Sequence, residues 1–203
     1  FFGLILASAV VLLREVDNWS VSKVLCLLSA GAVAVCIALS PVMSLEMGLA
    51  GVFLAGFLAV CAMILPGISG SFILVLLGMY STTLMALKSL DLVFILVFVV
   101  GAGCGLLCFS RVLHWLLRRF HQGTMAVLTG FLFGSLMVVW PWKRVLEWVE
   151  GSHGQLKPAQ QFPVSPLDYQ IYTGQDPQLW FCLSLMIVGF AVVWLIHTYW
   201  RHD

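Results

Sequence analysis

Residues 47–87 make a run of 41 residues without a single Asp, Glu, Lys or Arg. One crossing of a bilayer needs about 20 apolar residues, so this run is long enough for two. At its centre stand Pro66, Gly67, Ile68, Ser69, Gly70 and Ser71, a poor sequence for a continuous helix. Pro66 has no N–H and clashes with the turn before it, so a first leg must end ahead of it. Gly67 and Gly70 permit backbone angles that close one helix and allow close approach, and Ser69 or Ser71 suits the N-cap of the next. The legs, residues 47–65 and 69–87, have 19 residues each and would be about 28 Å long as helices. Two full crossings and a re-entrant hairpin both fit, and both leave the ends of the run on one side.

The remaining charge-free windows, residues 24–45, 92–110, 120–142 and 177–200, each fit one crossing. Hydrophobic residues make up 62% of the chain and charged residues 9%, against roughly 25% charged in a soluble domain; mean hydropathy is +1.05. The expectation is an all-α polytopic membrane protein, a helical bundle forming one transmembrane domain over residues 1–203, with a broken helical hairpin at residues 66–71. The opening FFGLILASAVVLL gives 13 residues before Arg14, too few for a span and without a basic leader. It reads as the end of a helix whose start lies upstream, so the chain is expected to be N-terminally truncated. The six cysteines lie in apolar runs without metal-ligand spacing and read as small buried hydrophobes. No metal or cofactor is expected. A net charge of +1 gives no reason to expect nucleic acid.

Basic residues set the predicted orientation. The segment SRVLHWLLRRFHQ carries Arg111, Arg118 and Arg119 with His114 and His121 and no acid, so it is placed in the cytoplasm as a short connection. Residues 143–176 then form an extracytoplasmic loop, irregular apart from an interfacial turn at PWKRVLEWVE. This arrangement leaves six basic residues inside and four outside, a modest bias.

A helix start inside a membrane protein presents N–H groups without partners, tolerated only where protein or water covers them. Such an end attracts phosphates and carboxylates, and transporters build substrate sites from broken helices in this way. The competing reading is a Pro-kinked helix whose serines bond back to its own carbonyls. Arg111, Arg118 and Arg119 can grip phosphate or simply hold their segment inside. His121 carries an imidazole, a side chain that suits proton coupling or an ordinary interfacial position. Glu46 borders the long apolar run and is a second candidate proton site, or a charge favouring the first helical turn. Gly101/Gly105 and Gly130/Gly134 have the spacing of close helix packing. No group of acids, metal ligands or nucleophile–base pair forms an enzyme constellation.

Several stretches resemble one family: FFGLILAS at residues 1–8, AMILPGISGSFIL at 62–74, LLGMY at 76–80, TGFLFGSL at 129–136, WPWK at 140–143 and TGQDPQ at 173–178. Together they resemble the DUF three-six-eight integral membrane family, the PopT-type polyprenyl-phosphate translocases. In that resemblance this chain is the C-terminal two-thirds, one half of an inverted repeat plus extra helices. The missing half would carry a second PG-x-SG motif. The implied function is return of undecaprenyl phosphate, the lipid carrier of wall glycans, across the bacterial cytoplasmic membrane. The family usually has a basic residue after GSL, where this chain has Met137, so Lys143 or Arg144 is the candidate replacement.

The expected phosphate site therefore comprises Pro66, Gly67, Ser69, Gly70, Ser71, Arg111, Arg118, Arg119, His121 and Arg144, with Glu46 and His121 as proton-coupling candidates and an ion gradient as energy source. The partners are the polyprenyl-phosphate lipid and the surrounding membrane lipids, with a homo-oligomer left open. A transporter or channel for a small soluble anion, or a membrane enzyme acting on lipid phosphates, are the alternatives.

Overall fold

The computed structural model of the chain describes residues 1–43, 48–150, 156–174 and 176–200. Its helices are α1 (Phe2–Arg14), α2 (Val21–Leu39), α3 (Gly48–Ile64), α4 (Gly70–Leu76), α5 (Tyr80–Lys88), α6 (Leu92–Arg119), α7 (His121–Val139), α8 (Pro166–Thr173) and α9 (Leu179–Trp200). Strands β1 (Lys143–Glu150) and β2 (Leu156–Pro163) pair as a two-stranded sheet. Four helices, α2, α6, α7 and α9, are long and apolar enough to cross a membrane. The chain is an all-α polytopic membrane protein carrying one small hairpin of strands.

The core is made of small residues. Ala7, Ala9, Ala30, Ala34, Ala55, Ala59, Ala62 and Ala126 are buried, while Leu96, Leu107, Ile187 and Leu195 are exposed. A lipid-embedded bundle has no water to drive large side chains inward, so small residues bring the backbones together and the bulky ones meet lipid. The buried hydroxyls of Thr83, Thr129 and Ser135 donate to carbonyls of their own helices, Met79, Met125 and Leu132, at 2.7–2.8 Å.

Two compact units divide the chain. The first holds Phe1–Leu39, Gln122–Val149 and Lys157–Asp203. In it α2 and α7 run parallel: a Cβ on Gly130 would collide with the Leu27 carbonyl, and one on Gly134 would come within 2.7 Å of the Gly31 carbonyl. α1 lies along α9 through Gly3, which has room only for a hydrogen against Met186. One end of this unit gathers the α1–α2 connection and the start of α7, since Asp17 N–H donates to Gln122 Oε1 at 2.9 Å. Arg14 stacks on Trp194 at that end. The opposite end gathers Phe2, Trp140 and Trp142 in edge-to-face contacts.

The second unit holds Ser40–His121 and Glu150–Leu156. Its frame is the parallel pair α3 and α6. A Cβ on Gly101 would strike the Phe53 carbonyl and one on Gly105 would sit 2.6 Å from the Phe57 carbonyl. The contacts climb both helices together, which fixes their common direction. α4 returns along α3, from Ala59 and Met63 at Gly70 to Val52 and Ala55 at Met79. The end of α4 thus lies level with the first turns of α3.

Three boundaries differ from the sequence reading. The second leg of the hairpin is not one helix: α4 and α5 are bent by 110°. The cause is Gly78, at φ +69°, in a helix-ending motif where Met79 N–H donates to the Leu74 carbonyl and Gly78 N–H to the Val75 carbonyl, both at 2.9 Å. Secondly, α6 does not stop at Ser110 but continues through Arg119 as 28 residues. At about 1.5 Å per residue it is about 42 Å long, beyond the roughly 30 Å of hydrocarbon, so Arg111, Arg118 and Arg119 lie on helix rather than in a connection. Thirdly, the segment read as an interfacial turn at PWKRVLEWVE followed by irregular chain contains β1, β2 and α8 among its described residues.

Candidate functional site

α3 ends at Ile64, two residues before Pro66, as the ring's steric demand requires. Gly67 turns the chain at φ +91°, a conformation open to glycine and costly for other residues. Ser69 is the N-cap of α4 by its extended backbone, φ −94° and ψ 132°, yet its side chain makes no cap hydrogen bond. Its Oγ instead pairs with Ser71 Oγ at 2.8 Å. The N–H groups of Gly70, Ser71 and Phe72 have no acceptor among the described residues. Ser69 and Ser71 are exposed. The break thus combines a helix start without a side-chain cap and two exposed hydroxyls.

Gly70 is buried because it presses onto α3. A Cβ there would lie 2.7 Å from the Ala59 carbonyl and from Met63 Cγ. Met63 is a site neighbour that the sequence reading missed; the only signal for it is its position three residues before Pro66. With 7 residues, α4 carries a short dipole, so attraction for an anion rests on its three free N–H groups and the paired hydroxyls more than on a macrodipole.

The α3–α6 register places the basic residues. Carrying the offset of Phe53–Gly101 and Phe57–Gly105 six residues further, about one and two-thirds turns, sets Met63 level with Arg111. Arg111 thus stands at the height of the break, on exposed surface, about 120° around α6 from Gly105 at about 100° per residue. Arg118 and Arg119 are exposed in the last turn of α6, where cations complement the helix C-terminus, and about 10–12 Å further along the axis. His121 opens α7 and is exposed. Glu46 lies outside the described residues.

Arg144 belongs to the first unit, where its guanidinium covers the Tyr172 ring at 4.1 Å. Lys143 donates to the Val138 carbonyl at the end of α7, beside Met137. Burial pushes its ammonium below the usual lysine range. The cation thus serves the carbonyl end of α7, a favourable place for positive charge.

Comparison with known proteins adds the family. The family described as undecaprenyl phosphate translocase-like matches residues 1–157. A "Polyprenyl-phosphate transporter" of Vibrio cholerae serotype O1 is 41% identical over 199 residues, covering 98% of this chain and 65% of that protein. A "Polyprenyl-phosphate transporter" of Staphylococcus aureus is 34% identical over 95 residues, covering 44% of this chain and 34% of that protein. The chain spans about two-thirds of the length of the first relative. No solved structure matches it.

Proposed function

The chain belongs to the undecaprenyl phosphate translocase-like family, and from that membership we propose that it moves a polyprenyl phosphate between the leaflets of the bacterial cytoplasmic membrane. The carrier would be undecaprenyl phosphate, returned for another round of wall-glycan synthesis. The protein acts as a transporter and not as an enzyme.

The observation that carries this reading is the start of α4. Three backbone N–H groups without an acceptor among the described residues adjoin the exposed, paired hydroxyls of Ser69 and Ser71, level with Arg111. A phosphate monoester offers acceptors for such donors, and Arg111 supplies a guanidinium for its charge. Neutralisation is needed because a charge at mid-bilayer costs several kcal/mol. In this proposal Pro66 and Gly67 shape the turn and Gly70 keeps the donors close to α3. Arg118, Arg119 and His121 attract the headgroup at the cytoplasmic end. Lys143 and Arg144 belong to a segment, residues 143–176, that is extracytoplasmic in this proposal. Glu46 and His121 are the proposed proton-coupling groups for an ion gradient. The apolar tail stays in lipid. The whole transporter includes sequence beyond this chain, and we propose that this part supplies the partner of an inverted repeat.

The test uses the full-length transporter in cells, with Ser69→Leu and Ser71→Leu combined. The outer-leaflet level of undecaprenyl phosphate is read with an impermeant phosphate-directed probe. Accumulation in the outer leaflet is expected, at normal protein level. Unchanged recycling would remove the α4 start from the mechanism.

A further inference from the structure

The eight residues of α8 (PLDYQIYT) are arranged in a way that water alone does not favour. Leu167 and Ile171, one turn apart and on the same face, are 75% and 78% exposed. Tyr169, about 160–200° around the helix from them, is half-buried. The helix therefore rests on the protein through its tyrosine side and turns its two large aliphatic side chains outward. Both ends are well formed. Asp168 N–H donates to Ser165 Oγ at 3.2 Å, and the chain leaves through Gly174 at φ +67°. The outward aliphatic face is thus part of a defined helix, not of a frayed turn.

The flanks fix the height of α8 relative to the spans of its own unit. Trp140 Nε1–H donates to the Val164 carbonyl before α8, at 2.9 Å. Trp142 Nε1–H donates to the Pro177 carbonyl after it, also at 2.9 Å. The two tryptophans stand one and three residues after the end of α7, and Pro177 stands two residues before α9. Both ends of the segment are therefore tied where two spans leave the apolar layer, and indoles favour that depth. The first turn of α9 adds Trp180, 87% exposed, and Phe181, also exposed, so the span that follows α8 begins with large outward-facing aromatics.

We propose that α8 is an interfacial helix whose Leu167–Ile171 face lies in the boundary between lipid headgroups and acyl chains. The partner is the bilayer itself. α8 carries one acid, Asp168, and no base, so insertion rests on apolar burial and not on attraction to anionic lipid.

The test reconstitutes the full chain into phosphatidylcholine–phosphatidylglycerol vesicles with Ile171→dansylalanine. Matched vesicles carry lipids brominated either near the headgroup or near the chain terminus. The expected result is blue-shifted emission, with greater loss of intensity from bromines near the headgroup than from those near the chain end. Water-like emission without bromine quenching overturns the proposal. So does blue-shifted emission insensitive to bromine, which would mean that a second copy or another part of the protein covers the face. Leu167→dansylalanine repeats the measurement on the same face and keeps it decisive if the first variant does not fold.

Discussion

The break at residues 66–71 and the segment from Trp140 to Gln178 both interrupt the membrane helices, and they treat their polar groups in opposite ways. In the segment, donors and acceptors meet. Two indoles reach the carbonyls of Val164 and Pro177, Ser165 caps α8, and Lys143 closes the carbonyl end of α7. At the break, Ser69 stands in the N-cap position and leaves its helix uncapped, while three N–H groups have no acceptor among the described residues. A helix start whose own cap residue declines the bond keeps its donors for something else. The contrast separates structural polar groups from those available to a ligand.

Four variants sharpen or break this contrast. The largest effect is expected from Ser69→Leu with Ser71→Leu: loss of carrier recycling by leaflet-resolved lipid accessibility, with the folded protein retained by size-exclusion profile. Retained recycling with both hydroxyls gone would erase the distinction. Next, Gly70→Leu forces a side chain against the Ala59 carbonyl and Met63. Overpacking of this kind costs about 1–3 kcal/mol, so a lower thermal midpoint in detergent is expected together with impaired recycling. Trp142→Phe keeps the ring and removes the N–H that serves Pro177. It is expected to cost about 1 kcal/mol, the worth of one hydrogen bond, in a chemical unfolding midpoint, with recycling unchanged. The smallest effect is a gain. Leu90 closes α5 at φ +53°, where a side chain costs about 1 kcal/mol, partly offset by the extra unfolded-state freedom of glycine. Leu90→Gly should raise the unfolding midpoint slightly and leave transport untouched.

The break was legible because Pro66 and Gly67 act through local sterics, which sequence carries directly. The close approach of Gly101 and Gly105 was legible for the same reason: small residues at that spacing have one common use in membranes. The bend at Gly78 was not, although the glycine was visible, because an absence of charge looks the same in one helix as in two. The length of α6 was misjudged for the converse reason. Arg111 ends a charge-free window but not a helix, since Arg, Leu and Trp continue helical geometry readily outside the hydrocarbon. In the 143–163 stretch, Val145, Trp148 and Val149 favour strands, yet prolines and glutamines nearby gave the whole segment an irregular look. Most of the candidate site's chemistry was in the motif; what the sequence lacked was height. Only the parallel α3–α6 register aligns Arg111 with Met63, and no spacing along the chain encodes that.

Since Gly101 and Gly105 seat α6 directly on α3, the two ends of the intervening hairpin are held at a fixed separation whatever lies between them. The closure entropy of that loop is met by the frame and not by the hairpin's own contacts. An extra residue at the Leu77–Met79 bend would leave the frame in register. One inserted between Phe53 and Phe57 would rotate every later contact by about 100°. The hairpin is therefore the part of this unit on which evolution can experiment, a replaceable tool clamped in a handle that cannot change.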